Sequence, residues 1–105
     1  MTICKRRHLV PEIPLFEIIT AVSNVYGVSY SAIRGDGNSS ELYDARCMCV
    51  YLIFYKTKSN MRKISSHFEN MQMQKVINAK TRMRKMLNTD NISFGRMEKV
   101  LSLIG

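Results

Sequence analysis

The chain has 105 residues, 46% of them hydrophobic and 23% charged, which suits one domain with a modest core. Sixteen Lys and Arg against eight Asp and Glu leave a net charge of +8, which points to a polyanionic partner. No apolar run approaches the roughly 18–20 residues that span a bilayer. No membrane role is therefore expected. The N-terminus shows no signal-peptide core, so the expected location is the cytoplasm. Three cysteines, two of them at 47 and 49, do not make a disulfide framework.

The charge is concentrated. Lys56, Lys58, Arg62, Lys63, Lys75, Lys80, Arg82, Arg84 and Lys85 face Glu69 alone within residues 56–85. That stretch carries the whole excess, since the rest of the chain is balanced. A basic block confined to one supersecondary unit reads as a nucleic-acid footprint.

Along the chain, residues 1–12 read as a flexible basic arm with Lys5, Arg6 and Arg7. A single helical domain is expected over residues 13–105. Pro14 suits the first turn of a helix, and Leu15, Ile18, Ile19, Val22, Val25 and Tyr26 recur at three-and-four spacing. Gly27 is a natural stop. Ser29 can cap a short second helix that turns Tyr30 and Ile33 inward. Gly35 to Ser40 is a loop. A third helix is expected from Glu41 to Tyr55, with Ala45, Met48, Cys49, Leu52 and Ile53 on its apolar face. Cys47 and Cys49 fall on different sides of it and read as buried small hydrophobes.

Asn60 is placed to cap a short fourth helix carrying Met61, Ile64 and Phe68. A break at Glu69 and Asn70 precedes a fifth helix from Gln72 to Leu87, with Val76, Ala79, Met83 and Met86 on one side. Thr89-Asp90-Asn91 breaks it, and a sixth helix runs over Phe94 to Leu103. No alternating strand pattern competes. The fold class is all-α: a bundle of about six helices containing a helix-turn-helix over residues 60–88.

In such a unit the start of the second helix meets base edges. Those positions are Gln72, Met73, Gln74 and Lys75. Glutamine matches adenine, lysine reaches guanine, and methionine meets a thymine methyl. Lys58, Arg62, Lys63, Asn78 and Arg82 are the nearby candidates for phosphate.

The segment from Ile13 to Leu87 resembles the C-terminal DNA-binding domain of the bacterial replication initiator DnaA, in the Trp-repressor-like helix-turn-helix class. Val25-Tyr26-Gly27-Val28 with Ile33 matches the entry between that family's first helices. Ala45-Arg46 with Met48, Tyr51 and Leu52 matches its Pro/Ala-Arg-Gln helix. Ile64, Phe68, Val76 and Ala79 fall at its helix-turn-helix positions. The resemblance implies duplex DNA as partner and assigns Arg46 to the phosphate backbone. It adds Arg34, beside the loop that enters the minor groove in the family. The signature Arg-Asp-His-Ser/Thr-Thr is replaced here by Met71-Gln72-Met73-Gln74-Lys75, and the Gly pair before it by Glu69-Asn70. The minor-groove loop, basic in the family, carries Asp36 and Glu41. The family's ATPase module has no counterpart, which implies an accessory replication or regulatory factor of bacterial or phage origin. Sequence choice is left to Gln72, Gln74 and Lys75.

Catalytic groupings are poor. His8 and His67 stand apart, the acids are scattered, and no phosphate-cradling glycine loop appears. No enzyme activity, cofactor or metal is expected. A second reading keeps the scaffold but gives it to a protein partner, a replication protein or a homodimer mate, through Met71, Met73, Tyr51, Phe54 and Tyr55.

Overall fold

A computed structural model describes residues 14–35, 37, 39–57, 61–69 and 71–104. Six helices follow in order: α1 (Leu15–Tyr26), α2 (Tyr30–Arg34), α3 (Ser40–Lys56), α4 (Met61–Ser66), α5 (Met73–Thr89) and α6 (Asn91–Ile104). No strand occurs among the described residues. The all-α bundle expected from the spacing is the observed fold. No described helix is long and apolar enough to cross a membrane. The arm expected over residues 1–12, Lys58 and the Asn60 cap lie outside the described residues.

Local signals act where the sequence puts them. Pro14 is the N-cap of α1 rather than its first helical residue. Gly27 ends α1 in the left-handed region, at φ +70°, and its N–H donates to the Ser23 carbonyl at 2.9 Å. An L side chain is strained there, so glycine is the economical stop. Ser29 caps α2 by accepting from the Ala32 N–H at 3.1 Å. Ser39 caps α3 by accepting from the Leu42 N–H at 3.2 Å.

The centre of the bundle is α3, which packs against α1, α2, α4 and α5. Residues 45–50 are buried without interruption. A helix surrounded on most sides has no solvent face over that stretch, so its sequence loses amphipathic contrast. The expected apolar face was correct but too narrow, since Val50 is buried too, and Cys47 and Cys49 are buried as their reading as small hydrophobes expects. Both cysteines are free and buried. Burial pushes the Cys49 thiol well up and the Cys47 thiol to about 11.

The last helix closes the bundle on the first. α6 packs chiefly on α1 and also on α5. The Arg96 guanidinium sits over the Tyr26 ring at 4.7 Å. This pairs the first half of α6 with the end of α1. The break expected at Thr89-Asp90-Asn91 shrinks to Asp90 alone. Its carboxylate accepts from the Ile92 N–H at 3.1 Å and from the Ser93 hydroxyl at 2.9 Å. An aspartate cap therefore starts α6 three residues earlier than its apolar spacing suggests, and Gly95 is carried inside the helix.

Candidate nucleic-acid interface

α4, a turn and α5 form the helix-turn-helix. The connection, residues 67–72, is longer than the short break expected around Glu69. The reason is a change of partner. The Glu69 N–H donates to the Arg34 carbonyl of α2 at 2.8 Å instead of continuing α4. The Arg34 Nε donates to the His67 carbonyl, also at 2.8 Å. Phe68 and Met71 drop into the core on either side. The Ser65 hydroxyl donates to the Met71 carbonyl. The turn is thus fastened to α2 from outside and to the core from within.

α5 emerges with Val76, Ala79 and Met83 buried. Its opposite face is open: Gln72, Met73, Gln74, Lys75, Ile77 and Asn78 are all exposed. Gln72 makes no side-chain cap at the helix start. Helix starts carry partial positive charge and point N–H groups outward. The 17 residues of α5 include Lys75, Lys80, Arg82, Arg84 and Lys85 and no acid. Arg62 and Lys63 are exposed on α4, which packs against α5.

Several expected phosphate contacts have other tasks. Arg46 is only 7% exposed. Its Nε donates to the Ile33 carbonyl at 2.7 Å and one Nη to the Ala32 carbonyl at 2.9 Å. The other Nη donates to the Gly37 carbonyl. These are end-of-helix carbonyls of α2 and the loop behind it, which have no partner within α2. Arg46 is a C-terminal cap supplied from another helix, and its burial removes it from the phosphate-facing surface of the free protein.

Arg82 faces α3 rather than the open face. It pairs with the Asp44 carboxylate at 3.1 Å and lies 5.0 Å from the Tyr43 ring centre. The hydrogen bond to Asp44 holds its pKa above the usual value. Lys80 lies over the Phe54 ring at 4.1 Å. Asn78 accepts a hydrogen bond from the Gln74 side chain at 3.1 Å. Arg34 is exposed but commits its Nε to the turn.

Residues 16–83 match the bacterial DnaA protein helix-turn-helix family. The chain belongs to that family. The match covers about two thirds of the chain and ends inside α5, so α6 lies beyond it. α5 is the second helix of the motif, and Met71 to Lys75, which stand where the sequence comparison put the family signature, span the end of the turn and the start of α5. His67, in the turn before it, has its pKa lowered by burial first and then by the charges of Arg34 and Lys63. Among the described residues, no group of His, Cys, Asp and Glu is arranged to hold a metal ion.

One member of the face was missed from the sequence. Ile77 is 39% exposed. It lies out of phase with the Val76, Ala79 and Met83 stripe, and that phase was the signal that could have found it. Met71 and Met73 were expected to act together. They separate instead, with Met71 9% and Met73 43% exposed.

Proposed function

We propose that this protein binds double-stranded DNA, with the first turns of α5 in the major groove. The carrying observation is α5 itself: a helix with five cations and no acid, exposed from Gln72 through Lys75 at its start. Family membership supports the same docking mode. Gln72, Met73, Gln74 and Lys75 meet base edges. Arg62, Lys63 and Lys58 hold phosphate, with Arg34 at the margin. On this reading the protein is an accessory replication or regulatory factor that works by binding, without catalysis. Neutralising about four phosphates gives a log–log salt slope of roughly −4. Titration of a fluorescent duplex between low and physiological salt tests it. A flat salt response, or no duplex binding, overturns the reading.

A second reading rests on α1 and α6, where Phe16, Ile92 and Leu103 are exposed. These apolar groups favour a protein partner, a replication protein or a second copy. Leu103→Ser separates the readings. It lowers self-association in sedimentation if this face docks protein, and leaves duplex affinity unchanged if α5 alone binds DNA.

A further inference from the structure

The open face of α5 has a chemistry more specific than positive charge. Its first two turns expose Met73, Gln74, Ile77 and Asn78 on adjoining positions. None of these can act as a guanine-reading cation. Lys75 stands about 100° round the helix from Gln74.

The Gln74 Nε2 donates to the Asn78 Oδ1 at 3.1 Å. That bond takes one of the two Gln74 donor hydrogens. It leaves one N–H and the Oε1 acceptor. Adenine offers the complement on its major-groove edge, a donor at N6 and an acceptor at N7. Guanine offers two acceptors there, so Oε1 would meet O6 unfavourably. A glutamine held in this way is an adenine reader, and Asn78 is its positioning residue.

Ile77 and Met73 add a second observation. They are large apolar side chains, 39% and 43% exposed, on a face otherwise polar. The apolar group on the major-groove edge is the thymine methyl. Residues three and four apart on a helix lie about 5–6 Å apart, within two base-pair steps. Gln74 and Ile77 therefore reach neighbouring pairs.

We infer that α5 selects adjacent A·T pairs, with Gln74 on adenine and Ile77, flanked by Met73, on thymine methyls. This rests on the duplex-binding reading. The test starts with selection from a random duplex pool, where adjacent A·T pairs should be enriched. In the selected duplex, thymine is then replaced by uracil, which removes only the methyl. Adenine is separately replaced by 7-deazaadenine, which removes only the N7 acceptor.

The wild-type protein should lose about 3- to 5-fold in affinity to uracil, and Ile77→Ala should be insensitive to that change. It should lose about 5- to 20-fold to 7-deazaadenine, and Gln74→Ala should be insensitive. Asn78→Ala should reduce the preference for adenine over guanine while keeping the salt slope. A merely structural Asn78 would leave that preference intact. A G·C consensus, or uracil sensitivity that persists in Ile77→Ala, overturns the inference. Steeply salt-dependent binding with no enriched sequence overturns it and leaves duplex binding standing. Absence of duplex binding overturns both.

Discussion

The Arg34 side chain donates to the His67 carbonyl while the Glu69 N–H donates to the Arg34 carbonyl, both at 2.8 Å. One residue thus fixes the helix-turn-helix turn with its side chain and its backbone. Only the side-chain half can be removed by substitution. Arg34→Ala should cost about 1 kcal/mol in stability, as for one exposed bond made by a charged donor. Faster amide exchange should appear at His67 to Glu69 first. Uniform acceleration across all helices would show that Arg34 does not act on the turn.

Arg46 should behave as a folding residue. Arg46→Ala leaves carbonyls of Ala32 and Ile33 without their donor in a buried setting. A loss of about 2–4 kcal/mol is expected, read from the urea midpoint. At a temperature where the variant remains folded, its duplex affinity should match that of the wild type. Arg62→Ala and Lys63→Ala should show the reverse, weaker binding at unchanged stability.

The Asp44–Arg82 pair is half exposed on the Arg82 side. A double-mutant cycle with Asp44→Asn and Arg82→Gln should give a coupling of about 0.3–1 kcal/mol that shrinks in salt. Releasing Arg82 in Asp44→Asn also adds a net positive charge to the protein. Duplex binding should then tighten slightly. A coupling well above this range would mean that the pair is shielded from solvent.

Alkali should destabilise the fold. Burial raises Cys47 from 9.0 to about 11 and Tyr26 from 10.0 to about 12. Both groups are neutral when protonated. The unfolded chain releases these protons first, so stability is full below about pH 9 and falls as pH rises towards 11 and 12. Cys47→Ala should make the loss shallower without moving its onset, because the buried Cys49 thiol still ionises first in the unfolded chain. Circular dichroism across that range checks it. His67 has the opposite sense. Its lowered pKa means that stability falls as pH drops below about 6.5, because the unfolded chain takes up that proton first.

The fold was readable where a single residue decides a local geometry. Gly27, Ser29 and the α1 stripe needed no knowledge of their neighbours. α3 was read one-sidedly because periodicity detects contrast, and a helix packed on most sides has little. Arg46 carries a family position and a positive charge, but its carbonyl partners lie 9 to 14 residues away in sequence. The second role of Asp90, as a cap, was hidden because a helix breaker and a helix starter have the same composition. At the interface, Gln72 to Lys75 followed from position in the motif. The Gln74–Asn78 bond needed coordinates, while the exposure of Ile77 follows from its phase against the buried stripe that sets which way α5 is turned.

That orientation is tied to the far side of the molecule by Asp90. With a single residue between them, α5 cannot roll about its axis without dragging α6 across α1. On the duplex-binding reading, the angle at which the open face of α5 meets DNA is thereby indexed to packing at Tyr26 and Arg96. Drift at the α1–α6 seam would act like a misaligned gear, altering which base pairs are engaged while every contacting residue stays the same.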